Sequence, residues 1–154
     1  MSRTQTEARR PAAAPEAGPP EGWRTATLHR PADIDAAIAP VLEAMLAAGY
    51  GAREAFGVRL ALEEALVNGL RHGNRGDRSK RVRLRHRVAD DCVLAEVQDE
   101  GPGFRPEDVP DPLAEENRGR DGGRGLFLIR HYMTWVRHNP PGNCVLMCKR
   151  RGEG

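Results

Sequence analysis

The chain has 154 residues, with 24 Lys and Arg against 22 Asp and Glu, for a formal net charge of +2. That length suits one domain with a single two-layer core, and the near balance of charge gives no compositional case for direct nucleic-acid binding. No apolar run reaches the length of a membrane span, and the first 22 residues lack the apolar centre of a signal peptide, so the pattern predicts a soluble, cytoplasmic protein.

Residues 1–22 are rich in Ala, Pro, Gly and charge without apolar periodicity, which predicts a disordered N-terminal tail ahead of a domain spanning 23–152. "WRTATLHR" (Trp23 to Arg30) alternates as a short first strand. Pro31 then opens a helix on Ile34, Ile38, Val41, Leu42 and Met45, ended by Gly49 and Gly51, with Pro40 a point of kinking or division. The strongest helix runs from Arg53 to Asn74, with Phe56, Leu60, Leu62, Ala65, Leu66 and Leu70 on or beside one face. Lys80 to Val88 and Cys92 to Asp99 alternate as a hairpin whose inward faces are Val82, Leu84, Val88 and Val93, Ala95, Val97.

From Gly101 to Gly125 the chain reads as a long loop, a length that in a compact domain signals function or disorder. Arg124 to Trp135 is an amphipathic helix, and "WVRHN" and "CVLMCKR" about the turn "PPGN" make a second hairpin. The order predicts an α+β fold: a two-layer sandwich with a mainly antiparallel mixed sheet and helices on one face. Of the three cysteines, Cys144 and Cys148 lie ~13 Å apart along one strand, too far for a disulfide. With Cys92 they read as small hydrophobes of a reducing compartment, and neither they nor the five histidines form a zinc pattern.

Three short patterns carry chemistry. Glu64 and Asn68 are four apart on the long helix, hence on one stripe, which His72 continues. Polar groups beside an apolar face need partners, and a hard cation such as Mg²⁺, which takes few protein oxygens and shares the rest with phosphates and water, would satisfy both. A Glu–Arg pair and a backbone-bonded Asn account for the same spacing. Asp99 ends a strand before Gly101 and Gly103, where a carboxylate can accept from an amino group and a backbone without Cβ can pass close to a flat ring; a tight turn needs the same glycines. "GRDGGRGL" (119–126) places glycines before a helix start, the logic of anion binding or of a hinge. A dinucleotide-binding fingerprint is excluded, because no strand directly precedes it in a βαβ unit.

In this order and spacing, "LALEEALVNGLRHGN", "VQDEGPGF" and "GRGLFLIRHYMTWV" resemble the GHKL, or Bergerat-fold, ATPase superfamily, and its smallest branch in particular, the anti-sigma factor serine/threonine kinases, over about Trp23 to Arg150. The resemblance implies ATP or ADP with Mg²⁺ as ligands. Glu64 would be the general base and Asn68 the Mg²⁺ ligand, with Asp99 bonding the adenine amino group and Gly101 and Gly103 shaping its pocket. Gly123 and Gly125 would let a lid close over the triphosphate, with His72 and Leu126 in the same nucleotide-lining set. Arg118, Arg120 or Arg124 would neutralise the transferred phosphoryl group, and the sequence does not choose among them. The sequence departs from the family at "PPGNC", where Asn143 stands in place of the usual Thr near the adenine, and in a short, arginine-rich lid.

The implied function is sequestration of a sigma factor and phosphorylation of a Ser on a STAS-type anti-anti-sigma antagonist, with nucleotide-dependent partner switching and a homodimer as a further family trait. Two alternatives belong to other classes: a catalytically inactive ATP-binding module, against which Glu64 argues, and a stand-alone histidine-kinase-type ATPase domain, for which no phosphoacceptor helix precedes the domain. Direct DNA binding through "HGNRGDRSKRVRLRHR" is weaker still, because its basic residues fit the solvated face of a hairpin.

Overall fold

A computed structural model describes residues 22–103 and 123–152. The elements are β1 (Arg24–Leu28), a short 3-10 turn at Pro31–Asp33, α1 (Ile34–Ala47), α2 (Ala52–Val67), a π-helical turn (Asn68–Gly73), β2 (Val82–Val88), β3 (Cys92–Gln98), α3 (Gly123–Tyr132), β4 (Trp135–His138) and β5 (Cys144–Arg150). The five strands form one sheet in the order β1-β2-β3-β5-β4. Every pairing among the described strands is antiparallel, so the parallel component of the expected mixed sheet is not found there. The second hairpin docks through β5, leaving four-residue β4 as the edge.

Period-two alternation puts Val82 and Leu84 of β2, Val93, Ala95 and Val97 of β3, and Met147 of β5 on one buried face. Ile34, Ala37, Ile38, Val41 and Met45 of α1 and Val58, Ala61, Leu62, Ala65 and Leu66 of α2 recur at helical spacing and join those strand residues, with Ile129 of α3, in one core. This is the predicted α+β sandwich. Pro40 sits exposed inside an uninterrupted α1, so it neither splits nor ends the helix.

The helix starts are held by carboxylates. Asp33 Oδ2 accepts from the N–H groups of His29 (2.9 Å) and Arg30 (3.2 Å), and the first of these chiefly holds its carboxyl below the usual range. Glu54 accepts from Gly51 N–H at 2.8 Å and from Gly152 N–H at 2.6 Å. Beside it Arg151 lies over the Tyr50 ring, 4.1 Å from its centroid, and donates to the carbonyls of Ala48, Gly49 and Asp90. The end of the described chain thus straps the α1–α2 elbow to the β2–β3 turn.

Two features depart from the sequence expectations. The long helix does not run as α-helix to Asn74: it widens at Asn68, and Asn74 N–H bonds the Gly69 carbonyl five residues back at 2.8 Å. On the open face of the sheet, Arg85 is not a solvated hairpin arginine. It is 8% exposed, between Thr25 and Glu96 in register and 3.9 Å from the Glu96 carboxylate, with Leu146 on the far side of Glu96. No disulfide joins the cysteines; Cys92 and Cys148 come together across β3 and β5, a proximity invisible in the linear spacing.

Candidate functional site

Helix α2 is amphipathic, and Glu64 and Asn68 lie at the margin of its buried face, one turn apart and half-buried. The first turn of α3 packs directly on them. A Cβ built at Gly125 would stand 2.9 Å from Glu64 Oε1 and 3.0 Å from Asn68 Nδ2, so a side chain there would displace the pair or the helix. Gly125 and Leu126 are buried at this contact, and the N-terminal end of α3 brings its positive dipole toward the Glu64 carboxylate. Gly123 is the first residue of α3.

Asp99 follows β3 and is half-buried beneath the π turn. A Cβ on Gly73 would overlap the Asp99 carboxyl, and one on Gly69 would lie 3.1 Å from Val82 Cγ2 and 3.6 Å from Asp99 Cβ. The two glycines let the turn lie flat on the strand end. Asp99 Oδ1 accepts from Gly101 N–H at 2.7 Å. Burial pushes the Asp99 carboxyl above its ordinary range, while the Gly101 bond pulls the other way.

Gly101 and Gly103 are required by close approach as well. A Cβ at Gly101 would strike the Gly73 carbonyl, and Gly103, at φ +90°, would strike the Pro141 carbonyl. Asn143 backs the same loop: its carbonyl accepts from Asp99 N–H at 2.9 Å, and its amide donates to the Asp99 and Gly101 carbonyls, both at 3.4 Å. Asn139 Oδ1 holds the preceding turn through the N–H groups of Gly142 (3.1 Å) and Cys144 (3.0 Å).

The structure therefore brings Glu64, Asn68, Gly125 and Leu126 together at one contact, and Asp99, Gly101, Gly103 and Asn143 at another, with the π turn joining the two. His72 is exposed on that turn. Arg118 and Arg120, with most of the predicted lid, lie outside the described residues, as does the side chain of Arg124. Among the described residues no cluster of three or more His, Cys, Asp or Glu could hold a metal ion. A single amide oxygen from Asn68 beside a carboxylate is the donor set of an ion that takes its remaining ligands from phosphate and water, so these residues fit Mg²⁺.

Sequence reasoning missed three participants. Gly73 was legible only as a helix stop, yet it is the surface on which Asp99 rests. Asn74 is 2% exposed and Glu100 accepts from Arg81 N–H at 2.7 Å; both lie within the quoted stretches, but no role was assigned to either from the sequence.

Comparison with known proteins agrees with this convergence. The family model for the histidine kinase-like ATPase domain matches residues 28–149. The serine-protein kinase RsbW of Bacillus subtilis is 31% identical over 114 residues, covering 66% of this chain and 68% of that protein. The serine-protein kinase RsbW of Listeria innocua is 27% identical over 113 residues, covering 69% of this chain and 72% of the relative. With a matching helix–strand–helix site and a family match over most of its length, the chain belongs to the histidine kinase-like, GHKL-type ATPase family, beside the RsbW serine-protein kinases.

Proposed function

We propose that this protein is an ATP-dependent serine/threonine protein kinase that holds a sigma factor and phosphorylates a Ser on a STAS-type anti-anti-sigma antagonist. The observation that carries the proposal is the packing of Gly125 on Glu64 and Asn68 at one end of a turn whose other end rests on Asp99. A base, a metal-binding amide and an adenine-reading carboxylate are thereby held on one rigid unit, and positioning is most of what phosphoryl transfer asks of a protein. Residues 23–152 form the ATP-binding domain of this scheme, following a tail of 1–22.

Glu64 takes the proton of the substrate Ser hydroxyl as its oxygen forms a bond to the γ-phosphorus of ATP. The bond from that phosphorus to the β–γ bridging oxygen breaks, and ADP departs. Asn68 holds Mg²⁺, which when bound offsets charge on the phosphates. Asp99 accepts from the adenine amino group through the oxygen that Gly101 does not occupy, and Asn143 fixes the loop beneath it. Gly123, Gly125 and Leu126 form the entry of α3 beside the phosphates; Arg118, Arg120 or Arg124 supplies positive charge to the transferred group, and His72 lies at the rim. Exchange of ATP for ADP biases the two partners through differential contacts with the nucleotide. The work is cytoplasmic, in a homodimer, and involves neither nucleic acid nor membrane.

The testing experiment is calorimetric titration of ATP with and without Mg²⁺ into wild type and Asp99→Asn, followed by transfer of labelled γ-phosphate to a Ser-bearing antagonist. The proposal expects Mg²⁺-dependent binding lost in Asp99→Asn, and an acid-stable product lost in Glu64→Ala with nucleotide retained. An acid-labile product would point to histidine-kinase chemistry, and binding without transfer to a regulatory module.

A further inference from the structure

The Asn74 side chain closes a ring of hydrogen bonds that no motif describes. Its Oδ1 accepts from Glu100 N–H at 2.8 Å, and its Nδ2 donates to the Arg81 carbonyl at 3.0 Å. Arg81 N–H in turn donates to Glu100 Oε2 at 2.7 Å. Three segments meet there: the end of the π turn, the entry to β2 and the exit from β3. Asn74 N–H, bonded to Gly69, ties the same residue to the turn that begins at Asn68.

We infer that Asn74 is a positioning residue for base recognition, setting where Asp99 stands relative to the Glu64–Asn68 helix. The inference rests on the ATP assignment above. Asp99 is the residue immediately before Glu100, and its carboxyl lies against Gly73, the residue immediately before Asn74. The Asn74–Glu100 bond therefore clamps the backbone one residue beyond each side of the Asp99–Gly73 contact. A buried amide that satisfies one N–H and one carbonyl from two different segments fixes both, because either group left unpaired costs its desolvation. Without it the strand end is free to shift against the helix, and Asp99 loses its register with a purine edge. Asn74 touches no nucleotide in this arrangement and acts through Asp99.

The test separates positioning from bulk stability by using two nucleotides. ATP presents a 6-amino group to Asp99, whereas GTP presents a 6-oxo group that cannot donate there, so the ratio of their affinities reports the Asp99 contact. Calorimetry with Mg²⁺ is run on the full-length wild type, Asn74→Ala and Asn74→Asp, with thermal unfolding to confirm that each is folded. Loss of the clamp weakens ATP about tenfold and leaves GTP unchanged, so the ATP preference contracts by the same factor. Asn74→Asp keeps the acceptor for Glu100 N–H and sets a second oxygen against the Arg81 carbonyl, and contracts the preference in the same direction. If Asn74→Ala does not fold, Asn74→Asp carries the test, since it loses the bond to the Arg81 carbonyl while keeping the acceptor for Glu100 N–H. Equal weakening of both nucleotides, or an unchanged ratio, overturns the inference while leaving the ATP assignment standing. A wild type with no preference for ATP overturns the assignment, and the inference with it.

Discussion

Replacing Gly73 with Ala is a one-methyl test of how the π turn meets the strand end. The new Cβ would overlap the Asp99 carboxyl carbon and both of its oxygens. Gly73 is not among the glycines with positive φ, so its backbone accepts Ala, and helix propensity returns up to about 1 kcal/mol. Overpacking costs roughly 1–3 kcal/mol, which leaves a net stability loss of about 0–3 kcal/mol. The effect on nucleotide is larger in proportion. To clear the methyl, Asp99 must swing away from Gly101 N–H, which carries its other oxygen off the proposed bond to the adenine amino group; a charge-assisted bond of that kind is worth about 1.5–3 kcal/mol, so ATP affinity falls roughly 10- to 100-fold. Urea unfolding and calorimetric ATP titration on the same preparations measure the two effects separately. Repeating the urea unfolding in an Asp99→Ala background completes a cycle in which the Gly73 penalty on stability should largely vanish. Affinity within twofold of wild type, or a penalty undiminished without Asp99, would refute the steric argument.

Gly125→Ala places a methyl 2.9 Å from Glu64 Oε1 and 3.0 Å from Asn68 Nδ2; phosphate transfer should drop about tenfold or more, for some 1.4 kcal/mol of misplacement, and an unchanged rate of labelled phosphate incorporation would contradict the contact. Burial, then the nearby Arg24, holds the His86 imidazole below its ordinary value. Among the described residues His86 Nδ1 has no hydrogen-bond partner, and the side chain lines a cleft of about 430 Å³ with Arg24, Pro40, Glu43 and Ala44. The unfolded state then binds the proton more readily, so this contribution to stability is present above the unfolded value near 6.5 and is lost as pH falls below it. Tm measured from about pH 7.5 to 5 should fall less steeply in His86→Phe; parallel slopes would remove His86 from the account. Arg85→Ala leaves the Glu96 carboxylate buried beside the Cys144 thiol and should cost about 3–5 kcal/mol, whereas Arg85→Met with Glu96→Leu should come back to within about 1 kcal/mol of wild type. Urea midpoints of the three proteins decide between the two costs.

The elements were legible because their periodicities are strong. Ile34, Ile38, Val41 and Met45 announce α1, and Val82, Leu84, Val93, Ala95 and Val97 announce a hairpin with one dry face. The site was legible as spacing: Glu64 and Asn68 must share a stripe, and Asp99 must sit at a strand end. What could not be read was anything fixed by contact between segments. Insertion of β5 between β3 and β4 depends on which edge of a hairpin docks, and "WVRHN" and "CVLMCKR" alternate equally well. The burial of Arg85 needed the register with Glu96, which a single strand does not contain. The π turn needed the knowledge that Gly73 would meet a carboxyl 26 residues further on; locally, "RHGN" is only a helix coming to an end.

That wide turn also makes the chain length here a fixed quantity. Helix ends commonly absorb an inserted or deleted residue, because the loop beyond takes up the slack. Between Asn68 and Asn74 no slack exists: the near side is tied to the α3 contact through Asn68, and the far side to Arg81 and Glu100 through Asn74. Dropping a single residue would swing everything beyond it by about 100° around the helix axis. Asn74 would then face away from the strand whose end it now holds. In this protein the six residues Asn68–Gly73 form a spacer of set length, so natural variation in the family should substitute residues there and leave their number alone.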